Sequence, residues 1–139
     1  MSVGFTLRQI RIEQFATFPE YLSLNQEAQV SDSFQFLLNP ENRQVGVNAS
    51  FDFKQKEFVI MRIGVSCHFG IDNNVWSSFL EGNRVRLPLD FSTNLFSITT
   101  GTTRGILASK TEHTHFSKFI LPLLNLKKMI EADVIFLLD

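Results

Sequence analysis

From Gln44 onward, polar and apolar residues alternate without a break. Val45, Val47, Ala49, Phe51 and Phe53 fall on one side, with Gln44, Gly46, Asn48, Ser50, Asp52 and Lys54 on the other. Strict alternation is the mark of a strand with one buried and one wet face. A charged turn follows at Lys54-Gln55-Lys56-Glu57, and alternation resumes through Val59, Met61, Ile63, Val65, Cys67, Phe69 and Ile71. Arg62, Gly64, Ser66 and His68 lie between them. Two such runs joined by a short polar turn predict an antiparallel hairpin with one apolar face. Upstream, Phe34, Phe36 and Leu38 alternate ahead of the breaker Asn39-Pro40-Glu41-Asn42, which predicts another hairpin connection into the Val45 strand. Residues 5–13 form a weaker strand, with Ile10 and Ile12 facing inward and Arg11 and Glu13 outward. The stretch 17–31, polar and punctuated by Pro19, reads as a connecting loop. About four antiparallel strands result, and their apolar face needs a cover.

After Ile71 the alternation stops. Asp72-Asn73-Asn74 and Glu81-Gly82-Asn83 look like turns around an apolar insert at Val75, Trp76, Phe79 and Leu80. From 88 to 109 two readings compete. A helix starting at Pro88, a favoured first-turn residue, stacks Phe91, Leu95, Ile98, Thr102 and Gly105 on one stripe. It is about 22 residues and roughly 33 Å long. A hairpin instead joins Leu95–Thr100 to Ile106–Thr111 through Gly101. Propensity disfavours the helix, because Thr99, Thr100, Thr102 and Thr103 are β-branched and each internal glycine costs about 1 kcal/mol. Packing has to hold it together. In the tail, Pro122 interrupts regular pairing, a short helix fits 125–132, and an apolar segment runs from Val134 to Leu138.

Length and charge narrow the class. A chain of 139 residues suits one domain, 1–139, with a real core. Thirteen Lys and Arg against fourteen Asp and Glu leave no basic footprint for nucleic acid. The single cysteine, Cys67, excludes an internal disulfide and argues against a cysteine-built zinc site. No charged start followed by an apolar run marks a signal peptide, and no run is long enough to span a membrane. These features predict a cytoplasmic protein that does not insert into membranes. One number stands out: fifteen residues are phenylalanine, more than a compact subunit of this size ordinarily carries. Phe51, Phe53, Phe69 and Ile63 belong to the core, whereas Phe34, Phe36, Trp76, Phe79, Phe91 and Phe96 are candidates for a groove or an interface.

The order of these pieces is itself informative. A leading strand, long alternating strands, an apolar link with Trp76, a Thr/Gly-interrupted helix ending in Arg104-Gly105, and the segment Leu121-Pro122-Leu123-Leu124-Asn125-Leu126 follow one another. This order resembles the protein-export chaperone SecB and the wider set of SecB-like proteins over roughly residues 5–130. The resemblance implies an α+β subunit in which a four-stranded antiparallel sheet is covered by one long helix. It implies subunits that pair into a dimer of dimers through their long helices, which places Ile98, Gly101, Thr102 and Gly105 at the oligomer interface. It also implies a chaperone that holds unfolded or presecretory chains in aromatic-rich grooves without ATP or another cofactor. The six ring-bearing candidates then line those grooves. Two departures stand beside it. Secretion-type members are strongly acidic, and they carry a second long amphipathic helix and a polar tail; this chain is nearly neutral and ends in an apolar run. A chaperone for a dedicated client, such as a toxin–antitoxin partner, fits equally, as does an oligomeric interaction subunit.

Other constellations carry less. His113-Thr114-His115 beside Glu112 has no third ligand in view, and reads as a solvated turn rather than a metal site. Gly101-Thr102-Thr103-Arg104-Gly105 lacks the Lys and Ser/Thr of a phosphate loop. Cys67, on the apolar face, should be an inert buried thiol. A small enzyme with an apolar pocket would need Asp52 or His68 at its floor, and both fall on the polar face. An extended client would find further hydrogen bonds at any free sheet edge.

Overall fold

A computed structural model describes residues 4–138. Strand β1 spans Phe5–Thr17, β2 Gln29–Asn39, β3 Gln44–Gln55 and β4 Phe58–Ile71. They form one antiparallel sheet in the order β1-β4-β3-β2. Helix α1 (Asn73–Phe79) leads into the short strands β5 (Leu80–Glu81) and β6 (Arg84–Leu87). The long helix α2 (Leu89–Thr111) follows, then α3 (Leu126–Met129) and β7 (Val134–Leu137). A second sheet runs β5-β6-β7.

The core is the apolar face of the central hairpin. Val45, Val47, Ala49 and Phe51 of β3 and Met61, Ile63, Val65, Cys67 and Phe69 of β4 are all fully buried. Helix α2 lies across these two strands. Near the turn the alternation slips by one residue: a register shift follows Phe53, so Ile60 is fully buried and Val59 only half-buried. The turn itself tightens to Lys56-Glu57, with Lys56 in the left-handed region (φ 55°).

Of the two readings for residues 88–109, the helix is the one formed, with a different face inward. Its buried residues are Ser92, Leu95, Phe96, Thr99, Thr100, Thr103, Leu107 and Thr111. Phe91, Ile98 and Thr102 sit half-buried on the flank, and Gly105 is exposed. Threonine counts as polar in a periodicity argument, yet here each hydroxyl is satisfied inside the helix. Thr99, Thr103 and Thr111 donate to the carbonyls of Leu95, Thr99 and Leu107 at 2.9, 2.7 and 2.9 Å. With the hydroxyl bonded four residues back, none of these threonines brings an unsatisfied polar group to the contact with the sheet. At the helix start, the Leu89 N–H donates to the Asp133 carboxylate at 2.8 Å. A residue 44 positions downstream thus caps one of the orphan donors of the first turn.

The edges depart from expectation. Leu7, Ile10 and Ile12 oppose Phe69, Cys67 and Val65, so they lie on the helix side of the sheet. They are nevertheless 39%, 47% and 47% exposed, because α2 covers β3 and β4 and leaves β1 bare. The Asp72–Phe79 region, which reads as a turn with an apolar insert, forms α1, with Asp72 preceding its first residue. The small sheet has no counterpart in the periodicity, since two- and four-residue strands are too short to register one. It is tied together by Arg86, which bridges Glu81 at 3.0 Å and Asp133 at 3.5 Å.

Truncating Phe51 to alanine should lower the unfolding free energy by about 3–5 kcal/mol, whereas Thr99→Val, which removes a hydroxyl placed between the Leu95 carbonyl and the Cys67 thiol, should lower it by about 1 kcal/mol. Urea titrations check both. Burial pushes the Cys67 thiol up, against hydrogen bonding from Thr99 and Thr102 that pulls it back. The native protein should therefore leave Cys67 unmodified by an aromatic disulfide reagent at mildly alkaline pH, with full reaction after denaturation. A folded-state value above the unfolded one also means that the thiol's contribution to stability is complete below the ordinary thiol range. It is lost as pH rises through the elevated value, and Cys67→Val should flatten that part of the decline.

Candidate functional site

Five of the six rings singled out in the sequence form two clusters rather than one trough. Phe96 is fully buried, 4.7 Å from Phe34, which meets Phe36 edge-on at 6.2 Å. Phe79 and Phe91 meet at 4.8 Å near the start of α2, with Phe5 and Phe69 completing that group. Trp76, Phe79 and Phe96 are buried within the single chain, while Phe34, Phe36 and Phe91 are half-buried. The four interface candidates do not share one open face of α2: Ile98 packs against the core and Thr102 reaches Cys67. Ile98 and Thr102 are half-buried, and a methyl group placed on Gly101 or Gly105 would meet only open space.

Open apolar surface lies elsewhere, where the 18–28 connection and the segment after α2 approach one another. A hollow of about 580 Å³ is lined by Phe15, Leu22, Leu24 and Phe116, with Lys110 and His115 among its polar rim. A second, of about 320 Å³, is lined by Ala28, Val30, Phe53, Phe119, Ile120 and Pro122. The connection is irregular but firmly held. Gln55, buried at the end of β3, accepts from Ser23 N at 2.8 Å and donates to the carbonyls of Ser23 and Gln26 at 2.8 and 2.9 Å. Tyr21 stacks on Phe58 at 4.6 Å. The Lys118 ammonium donates to the Leu24 carbonyl and joins the two segments.

On the other side, Arg104 of α2 donates to the carbonyls of Leu121 and Pro122, both at 2.9 Å. This clamp presents Ile120, 67% exposed, and Leu123, 88% exposed, to solvent. Periodicity could not find these residues. Leu22 and Leu24 are isolated in a polar stretch, and the Phe119–Leu124 run has no period because Pro122 breaks it. The available signal was the combination of an apolar run with a residue that forbids regular pairing.

A third hollow, about 550 Å³, separates the end of β2 from β7 and is lined by Phe36, Leu37, Leu38, Phe136, Leu137 and Leu138.

The polar sheet face is a hydrogen-bonded surface. Arg62 grips both oxygens of Asp52, at 2.7 and 3.1 Å, and that contact raises the Arg62 pKa further. Ser66 lies 2.7 Å from a Glu13 oxygen and 3.0 Å from His68 Nε2. The His68 ring rests over Gly46, where a methyl group would come within 3.1 Å of Nδ1. Asp52 borders a shallow polar hollow with Ser31, Ser33 and Ser50, away from the apolar ones. His113 and Glu112 stand exposed, 3.7 Å apart, and no group of three His, Cys, Asp or Glu side chains is placed to hold a metal among the described residues.

No protein-family model matches the chain, and no curated protein matches it by sequence. Solved structures do. The chain is similar to the SecB-like chaperone Rv1957 of Mycobacterium tuberculosis, solved in complex with a ChAD peptide from the Rv1956 HigA1 antitoxin. The match has 16% identity and a TM-score of 0.50, over 87% of this chain and 90% of that one. A protein of unknown function from Streptococcus agalactiae also matches, at 16% identity and a TM-score of 0.43, over 86% of this chain and 96% of that one. The four-stranded antiparallel sheet, the long helix laid across it and this structural likeness together make the fold SecB-like.

Proposed function

We propose that this protein is a non-catalytic, ATP-independent holdase that shelters non-native polypeptide segments in the apolar hollows beside α2. The observation that carries this reading is the exposure of Leu24, Ile120 and Leu123 on the two segments that meet beside the end of α2. These side chains are 52%, 67% and 88% exposed, and Leu24 and Ile120 line hollows large enough for client side chains. Monomeric soluble proteins rarely leave such surface open without a partner. Burial is non-directional, so a groove of this kind accepts many sequences. Among the six rings named from sequence, Phe34, Phe36 and Phe91 extend the binding surface as they stand. Trp76, Phe79 and Phe96 contribute to it only where the chain opens.

The M. tuberculosis neighbour holds a peptide from an antitoxin, which supports a polypeptide client here and favours a dedicated client over general secretion traffic. A net charge of −1 points the same way, because the resemblance associates secretion with a strongly acidic chain. The proposed setting is the cytoplasm, and no helix among the described residues is long and apolar enough to cross a membrane.

Assembly belongs to the same proposal. The exposed Gly101 and Gly105 of α2, flanked by the half-buried Ile98 and Thr102, and the bare β1 residues Leu7, Ile10 and Ile12 are the two surfaces of the proposed dimer of dimers.

Light scattering of a thermally aggregating client should show suppression at several-fold molar excess of this protein, and its absence removes the holdase reading. The double variant Ile120→Ser/Leu123→Ser should keep its stability within about 0.5 kcal/mol, both residues being solvent-facing, while losing most of the suppression. In the single chain Gly101→Leu meets only open space and should firm the helix by about 0.5–1 kcal/mol. If α2 packs against another copy, the same change should lower the assembled mass measured by multi-angle light scattering. An unchanged mass excludes this face from the interface.

A further inference from the structure

The main sheet has two free edges, and they are built differently. Strand β1 is interrupted by register shifts at Leu7/Gln9 and Ile12/Gln14, and it carries Arg8, Arg11 and Glu13. Bulges and charges are the devices by which sheets discourage further pairing. Strand β2 has no bulge and little charge. All eleven of its residues, Gln29 to Asn39, pair with β3 in unbroken register, and Asp32 is its one charged side chain. Every second residue of such a strand turns its N–H and C=O away from β3, toward the open edge.

What flanks this edge matches what a regular edge invites. At the β2 start, Val30 lines the hollow of about 320 Å³ with Phe119 and Ile120. At its end, Phe36 and Leu38 line the hollow of about 550 Å³ that β7 walls on the far side. Midway, Phe34 borders a smaller hollow of about 310 Å³ together with Asn48. The Asn48 Oδ1 atom is shielded from solvent yet accepts no hydrogen bond.

We infer that β2 is a strand-addition site: an extended segment of a client pairs its backbone with the β2 edge and seats apolar anchors in the hollows at the two ends. Val30 and Leu38 are eight residues apart, roughly 26 Å along a strand, which sets the spacing of those anchors in the client. The edge fixes the occupant's chemistry. An unpaired row of N–H and C=O groups is complemented by another extended backbone, and the hollows add the demand for aliphatic or aromatic side chains. This inference rests on the holdase reading and adds the mode of capture, the strand responsible and the anchor spacing.

The test uses the full chain and a fluorescein-labelled peptide of about 14 residues, polar except for Leu-Val pairs eight residues apart. Two further peptides keep every side chain but carry N-methyl groups on alternate residues, one set on each strand edge. Only one edge of an added strand faces β2, so one methylated peptide should bind at least about tenfold more weakly in fluorescence anisotropy, with the other unchanged. Halving the anchor spacing should weaken binding comparably. On binding of the parent peptide, amide exchange should slow within residues 29–39 and stay constant in β1. If the parent binds and both methylated peptides match it, or both weaken alike, strand addition is overturned while the holdase reading stands. If the parent fails to bind and aggregation is not suppressed either, both fall together.

Discussion

Burial of one face of β3 and β4 beneath α2 sets the position of almost everything else. The strands present a continuous apolar strip, and the helix meets it with small threonine side chains and a few large apolar ones. Small inward groups bring the helix close to the sheet. Their hydroxyls stay satisfied within the helix, so no polar group is stranded in the contact. Because the helix is centred on the two inner strands, the outer strands are left partly bare. The exposed apolar residues of β1 and the open margin of β2 are two results of that single choice of position.

The irregular segments are placed by hydrogen bonding rather than by hydrophobic periodicity. One buried glutamine, Gln55, holds the 18–28 connection through three bonds, and one arginine, Arg104, holds the 121–122 backbone through two. Gln55 is the last residue of β3 and Arg104 lies inside α2, so both side chains start from backbone whose direction is already fixed. Loops tied in this way can display apolar side chains without collapsing onto the core, which is how binding surface is kept open on a rigid scaffold.

Much of the fold was readable from the order of residues. The four strands and the central core follow from alternation, because period-2 burial leaves an unambiguous trace at Val45–Phe53 and Met61–Ile71. The long helix was harder, since its inward face is written in threonine, which spacing arguments score as polar and strand-forming. That same bias rotated the expected stripe toward Phe91, Ile98 and Gly105. The grooves were least legible. They arise where two aperiodic stretches meet across the molecule, and no local pattern records that Leu24 and Lys118 are neighbours. Aromatic content did not locate the open surface: Leu24, Ile120 and Leu123 carry no ring, and half of the chosen rings are spent inside the subunit.

The cap on α2 ties the ripening of the helix to the arrival of a distant residue. Leu89 opens the helix, and its amide is satisfied by Asp133, which leaves the ribosome 44 residues later. At synthesis rates of about 5–20 residues per second, that amide waits several seconds for its acceptor. During that interval Arg86 also lacks its Asp133 contact, and β6 has no β7 beside it. The nascent subunit thus passes through a stage in which the sheet is complete and the helix start is loose. Until β7 arrives, the β6 edge opposite β5 stays open beside the free edges of the main sheet.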